Sequence, residues 1–560
     1  MSSLAAALHD SLSRLIGGAP DPASAAALRQ VVGALTAALE RGELGLDLEG
    51  PAPEALHSPD DTGTGDPDWP AAQLAALQAS GWLVDANALH SQPEAPVVRD
   101  GRWLRWRRWH QQLQHCLGEL ISRGRDPLQP APTAAERRAA VARAAAAGLD
   151  AQQAAAVEAL LCQRLVLLSG GPGTGKTSTV VQMLAAAVRL QPQLRLQLAA
   201  PTGKAAGRLA AAVAQGARGL EAPLAERLGQ LGSSTLHRLL EARADGAGFR
   251  RDRRRPLELD LLVVDEVSMV DLPLMAALLA ALPPTARLLL VGDPGQLPPV
   301  GPGAVLLELS RPEPLAALGS AAVELSTTYR NNGAIAALAG HWRQLEARDR
   351  PLLDQLRPQL EALPPGANLQ WLQAPAEHPP AEALRRLREH QQHLATLAQT
   401  VAPGEQATAA NQDTLLAELE RLILLSPIRQ GRWGVNGLHA ALLGEAAARP
   451  AQHWPIGTPV LNTRNLAEQG LANGDIGVLV PGNASGERLV LFPGRRLLHP
   501  ARLGPAEPAL ALTVHKAQGS QYHEVLLLLP PSRPCDARLL YTGLTRARRQ
   551  AWLITPSGPA

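Results

Sequence analysis

The chain has 560 residues and carries 53 Lys plus Arg against 51 Asp plus Glu, so its net charge is only +2. That length holds several domains and more than one core, and so weak an overall field requires any nucleic-acid surface to be a local gathering of basic groups. Cys116, Cys162 and Cys535 form neither a CxxC pair nor a disulfide framework. The start MSSLAAALHDSLSRL has no basic leader and no uncharged apolar run is long enough to cross a bilayer, so a soluble cytoplasmic protein is expected.

Residues 1 to about 125 carry no phosphate chemistry. Alanine and leucine at helical spacing over 4–39 predict packed helices, and 51–70, containing DDTGTGDPD, reads as a loop. In GRWLRWRRWH, Trp103, Trp106 and Trp109 interleave with Arg102, Arg105, Arg107 and Arg108. Bases can stack on such rings while arginines hold phosphates. The alternative is a partner interface, or a solvated basic face around core tryptophans. A second irregular stretch, 123–132, reads as a linker.

From residue 149 short apolar strands alternate with helices, the pattern of a parallel sheet with crossover helices. Strands are predicted at 164–168, 194–199, 259–264 and 287–291, each ending in a polar or glycine-rich signature, where open α/β sheets bind their ligands. The first runs into SGGPGTGKTS. Gly170, Gly171, Pro172, Gly173, Thr174 and Gly175 make a phosphate loop whose backbone N–H groups can close on phosphate oxygens. Lys176 reaches the outer phosphates, Thr177 offers a hydroxyl to Mg²⁺, and Ser178 opens the next helix.

The second strand ends in APTGKAAGRL, where Thr202 and Lys204 either contact a nucleic-acid backbone or merely cap a helix. The third ends in LLVVDEVSM. Asp265 suits a carboxylate that holds Mg²⁺ through water, and Glu266 suits a base that orients the attacking water, although paired acids also open ordinary helices. The fourth gives VGDPGQLPPVGPG, placing Gln296 to sense a terminal phosphate. TTYR then offers Arg330, and an arginine delivered to a transferring phosphoryl group contributes about 10³ to 10⁵ in rate.

Beyond Asn331 an Ala, Leu, Gln and Arg-rich helical region extends to about 420. A second α/β segment follows, with a strand at 422–425, then SPIRQGRWGVNGLH. Residues 457–493 read as consecutive β-hairpins inserted into it. The α/β pattern resumes at 509 with LTVHKAQGSQ, an apolar strand at 525–529, and a helix in LLYTGLTRARR with Arg546 on it.

Taken in this order and spacing, the phosphate loop, Asp265 and Glu266, GDPGQLPPV, TYR, TVHKAQGS and YTGLTRAR resemble superfamily 1 helicases of the 5′ to 3′ branch. The likeness is closest to the RecD family, the alpha subunits of exodeoxyribonuclease V (RecBCD), over roughly 145–556. The resemblance implies an α/β chain with two RecA-like P-loop motor domains built on parallel sheets, at 126–330 and at 331–430 with 509–560. It further implies an SH3-like β insertion at 431–508 and a mainly helical N-terminal partner-interaction domain at 1–125.

It implies ATP and Mg²⁺ as cofactors, with Gln153 reading adenine unless it is a helix-surface glutamine. Lys176, Glu266, Gln296, Arg330 and Arg546 would be catalytic. Gly519 would sit at the nucleotide, and Thr202, Lys204, His237, Thr513, His515, Lys516 and Gln518 would grip single-stranded DNA or couple that grip to ATP. FRRDRRR at 249–255 falls where the family has a strand-separating pin, a disordered basic loop being the alternative. One departure concerns Gln521 and Tyr522, which replace the usual acid and Phe, so a contact to the nucleotide sugar here would be uncharged.

The implied partners are DNA ends, single-stranded DNA, and RecB-like and RecC-like subunits in a heterotrimer, with no membrane. The implied function is 5′ to 3′ unwinding in double-strand break repair, with any DNA cutting supplied by a partner. A stand-alone helicase of the same branch and a non-motor ATP-binding assembly subunit are the alternatives.

Overall fold

The computed structural model describes residues 3–19, 21–53, 69–243, 245–246, 248–328, 335, 338, 352–401, 408–484, 486–531 and 536–557. The N-terminal region does contain helices. Asp21 caps the helix Pro22–Glu40, accepting from Ser24 N at 2.9 Å, with proline in the first turn. Its Leu28, Val31, Val32 and Leu35 are buried at helical spacing.

It also contains a sheet that the expectation of packed helices omits. The strands β1 (Leu46–Asp47), β2 (Leu83–Asp85), β3 (Val97–Asp100) and β4 (Trp103–Trp106) lie in the order β1-β4-β3-β2. Strands this short show no period in sequence.

In GRWLRWRRWH the structure shows something neither expected reading names, a seam inside the chain in which the basic groups are paired. Arg102 pairs with Asp47. Arg105 is 2% exposed and donates to Asp100 at 2.9 Å and to Glu308 at 3.2 Å. Arg311 lies 4.0 Å from the Trp103 ring, Arg108 covers Trp109, and Trp106 is buried, so the rings are occupied from within. The cluster joins the N-terminal region to the stretch around the helix Val305–Leu309. A second junction lies nearby, where Gly303 N donates to Gly42 O at 3.1 Å. Gly42 has φ +79°, and a Cβ there would collide with the Pro299 carbonyl, so the close approach needs glycine.

The next sheet is parallel throughout. Its strands β5 (Leu165–Gly170), β6 (Leu196–Ala200), β7 (Ser233–Thr235), β8 (Leu261–Val264), β9 (Arg287–Gly292) and β10 (Ala322–Leu325) lie in the order β10-β5-β9-β8-β6-β7. β5, β8 and β9 are buried at every residue, with apolar clusters on both faces. That double coverage is why they read as unbroken apolar runs.

A second parallel sheet begins with β11 (Leu369–Ala374) and β12 (Leu422–Ser426). The chain then builds an antiparallel unit of β13 (Pro459–Asn462), β14 (Ile476–Pro481), β15 (Arg488–Phe492), β16 (Arg496–Leu498) and β17 (Ala506–Pro508), ordered β16-β15-β14-β13-β17. It returns as β18 (Ala511–Thr513), β19 (Tyr522–Leu528) and β20 (Ala547–Pro556), completing the order β11-β20-β19-β12-β18.

β11 lies in the region expected to be helical. LQWLQA is an edge strand held only by β20, and its half-polar composition hides it. Two parallel α/β sheets, one carrying the phosphate loop, are the framework of RecA-like motor domains. No helix among the described residues is long and apolar enough to cross a membrane.

Candidate active site

β5 delivers Gly170 to the loop, and the helix Lys176–Leu190 receives it. Gly173 and Gly175 take φ of 81° and 80°, conformations that side chains resist, and a Cβ at Gly170 would sit 2.8 Å from Thr174 Oγ1 and 2.9 Å from the Leu325 carbonyl. Lys176 folds over this loop, donating to Gly170 O at 2.5 Å and Gly171 O at 2.9 Å. Burial lowers its ammonium from the ordinary lysine value, and the charges of Asp293, Glu266 and Asp265 oppose that fall. An incoming phosphate would oppose it too.

Gln153 is 4% exposed and spends its amide inside the protein, accepting from Asp150 N at 3.0 Å and donating to Thr174 O at 3.1 Å. It caps its own helix and braces the loop.

β8 ends beside Asp265 and Glu266. Burial, then the Glu266 charge, pushes the Asp265 carboxyl up to about 6, even though it accepts from Glu266 N at 2.8 Å. A carboxylate ionised so reluctantly gains from a dication next to it. Glu266 stands at φ 52°, costly for a residue with a Cβ. No group of three or more His, Cys, Asp or Glu among the described residues forms a metal cage. Thr177 and Asp265 offer the oxygen donors that Mg²⁺ takes, an ion that keeps most of its shell as phosphate oxygens and water.

β9 ends at Gly292 and presents Asp293, which is 1% exposed. It accepts from Gly295 N at 3.0 Å, from the Tyr541 hydroxyl at 2.7 Å and, weakly, from Gln296 Nε2 at 3.4 Å. Gln296 is 5% exposed, and its buried Oε1 has no hydrogen-bond partner among the described residues. An unpaired acceptor in that place suits the O–H of a water molecule.

Tyr541 belongs to the second parallel sheet's helix Ala537–Leu544, so the contact crosses between the two lobes. The next residue is tied the same way. Leu297 N donates to Thr542 Oγ1 at 2.8 Å, and Leu297 O accepts from Gln518 Nε2 at 3.0 Å. Gln518, for which a DNA contact or a coupling role is expected, is 6% exposed at this joint, its amide satisfied between backbones.

Arg546 lies just beyond the end of its helix and not on it. It is 2% exposed, donates to Thr542 O at 3.0 Å, and its charge is felt at Lys176. Arg208, which the sequence did not single out, donates to Gly519 O across the cleft and faces the Glu266 charge. A cavity of about 730 Å³ opens between the lobes, lined by Ser169, Gly295 and Glu324 on one side and Arg538 and Tyr541 on the other. Arg330 lies outside the described residues.

The remaining expected residues sit along the outer strand ends. Thr202 caps its helix, accepting from Ala205 N at 3.2 Å. Lys204 Nζ lies 5.5 Å from the Tyr522 ring, and His237 packs against Phe249 at 5.8 Å between ring centroids. Thr513 Oγ1 accepts from Lys516 N at 3.3 Å, and His515 belongs to the short turn His515–Ala517.

An AAA domain matches residues 153–302, and a UvrD-like helicase C-terminal domain matches 508–554. The RecBCD enzyme subunit RecD of Mycobacterium tuberculosis is 38% identical over 541 residues, 92% of this chain and 85% of that protein. The chain belongs to the RecD family. Membership places it among the superfamily 1 helicases, the class its motif order resembles. A second RecD-family relative, the ATP-dependent RecD2 DNA helicase of Deinococcus radiodurans, is 33% identical over 75% of this chain and 51% of its own length. A solved Bacteroides Pif1 helicase with ADP-AlF3 and single-stranded DNA aligns with 71% of this RecD-family chain and 89% of its own, at 16% identity and a TM-score of 0.38.

Proposed function

We propose that this RecD-family chain is an ATP-driven DNA helicase that travels 5′ to 3′ along one strand. In this role it is the motor subunit of a RecBCD-type heterotrimer acting at double-strand ends, with RecB-like and RecC-like partners. The observation that carries this reading is the shared cleft. The phosphate loop, Asp265, Glu266 and Gln296 on one lobe face Tyr541, Thr542 and Arg546 on the other. The heterotrimer is supported by relatives named as RecBCD subunits over 92% of the chain.

The motor domains are 126–330 and 331–430 with 509–560. The antiparallel unit belongs to an SH3-like insertion at 431–508, and 1–125 meets partners. ATP with Mg²⁺ supplies the cleavable phosphoanhydride and the charge neutralisation that goes with it. Lys176 leaves the carbonyls of Gly170 and Gly171 to bind the outer phosphates, while Gln153 and the glycines hold the loop in shape. Thr177 and Asp265 bind the cation. Glu266, aimed by its strained backbone, takes the proton of the attacking water, and the free Gln296 oxygen orients that water. Arg546, with Arg330, meets the charge that develops on the transferring group.

Because Leu297 is pinned to Thr542 and Gln518, closure of the cleft is felt at the adjacent Gln296. A cleft with two states gripping DNA on both lobes steps along the strand. Thr202, Lys204, His237, Thr513, His515 and Lys516 form that grip.

Unwinding of duplexes carrying a single 5′ or 3′ tail tests the reading. Use of 5′ tails is expected, exclusive use of 3′ tails overturns the polarity, and full DNA-stimulated ATPase in Lys176→Gln overturns the mechanism. Co-purification of two large partners tests the heterotrimer.

A further inference from the structure

Two basic side chains at the second lobe's strand ends are both held by one carboxylate from the inserted β unit. Lys516 Nζ lies 2.7 Å from Glu507 Oε2, and Arg429 Nη2 lies 2.9 Å from Glu507 Oε1. Arg429 follows β12 and Lys516 follows β18, neighbouring parallel strands, so the glutamate bridges two adjacent carboxyl ends. Ligands of open α/β sheets bind at such ends. Burial alone would raise Glu507, but hydrogen bonds from Lys516 and Arg429 leave it below the usual carboxylate value.

The same unit approaches the first lobe. A Cβ at Gly203 would collide with Ala472, and the half-buried Asp475 faces the charge of Lys204. A carboxylate offering one oxygen to each of two cations has the charge and the two-point geometry of a phosphodiester.

We propose that Glu507 stands in for a DNA phosphate. It keeps Lys516 and Arg429 extended and cancels one of their two charges until the strand arrives, and the strand must displace it to bind. Glu507 therefore sets how tightly the second lobe holds DNA, and lets the grip release between steps. This rests on the reading that Lys516 contacts DNA.

Binding of a fluorescent oligo-dT to the full chain tests it by anisotropy, across about 50 to 300 mM salt where phosphate contacts show. Glu507→Gln is expected to bind roughly two- to fivefold tighter at the lower salt, the range of one partly exposed ion pair. The log–log salt slope should stay as in wild type, because the displaced glutamate leaves the same phosphates neutralised in the complex. A bridge serving only to hold the fold would leave the affinity unchanged as well.

Glu507→Asp keeps the charge but shortens the reach, and should fall between the two; it decides the matter alone if Glu507→Gln does not fold. Folded variants with wild-type affinity overturn the inference. Lys516→Gln separates the two ideas. If it binds DNA as wild type does, the grip reading fails; if it binds more weakly while the Glu507 variants stay unchanged, only the stand-in fails.

Discussion

Replacing Tyr541 with phenylalanine removes one hydroxyl and nothing else, and that hydroxyl spans the cleft. It donates to Asp293 Oδ2 at 2.7 Å, with the two residues 3% and 1% exposed. A hydrogen bond to a charged group contributes about 1.5–3 kcal/mol. Asp293 keeps its 3.0 Å bond from Gly295 N, so the lower half of that range applies. At about 1.4 kcal/mol per tenfold, the turnover number should fall roughly ten- to thirtyfold.

The loss should appear in kcat more than in KM for ATP, because the contact aligns Asp293 and Gln296 with the second lobe and leaves the phosphate loop untouched. Steady-state ATPase at saturating single-stranded DNA measures both constants, with a melting curve to show that the variant is folded. A folded Tyr541→Phe with kcat within about twofold of wild type would refute the reasoning, since no contact so weak matches the magnitude above.

Two further outcomes follow from buried charge. Arg105→Met takes a donor from Asp100, which keeps Gln114, and part of the pairing of Glu308, a buried carboxyl that desolvation raises. Breaking such a pair costs about 3–5 kcal/mol, reduced to roughly 2–4 here because Arg311 still reaches Glu308. Limited proteolysis should release the N-terminal region faster, and Arg105→Met with Glu308→Leu should recover most of the loss.

His439 is 5% exposed, accepts from Ala511 N at 3.1 Å, and burial holds its pKa at about 4. The unfolded chain protonates this ring first, so stability falls as pH drops below about 6.5, by about 3 kcal/mol in total and about 2 of it by pH 5. Melting at pH 7 and pH 5 should show a smaller drop in His439→Gln, which keeps an acceptor without a titrating group. An equal drop in both proteins would contradict the assignment.

What the sequence showed plainly was the chemistry that local residues dictate alone. β5, β8 and β9 are apolar because both their faces are covered, and SGGPGTGKT needs its glycines for the φ values observed at Gly173 and Gly175. What it hid depends on distant partners. Arg105 meets Glu308 across 203 residues, so nothing around position 105 distinguishes a buried seam from a DNA surface. Arg208 reaches Gly519 across 311 residues. Gln518 ends its amide on Leu297 of the other lobe, a partner 221 residues away that its own motif does not reveal. β11 and the N-terminal strands were missed because short or edge strands carry too few alternating positions.

The route of the chain through the second sheet has a consequence for evolution. β12 and β18 lie side by side, and the antiparallel unit departs after one and returns before the other. An excursion whose two feet stand on neighbouring strands closes a loop at little extra entropy however long it grows. Such a cassette can be enlarged, trimmed or exchanged while the platform beneath it keeps its register. A lineage can therefore reshape the surface this unit presents without rebuilding the sheet that carries it.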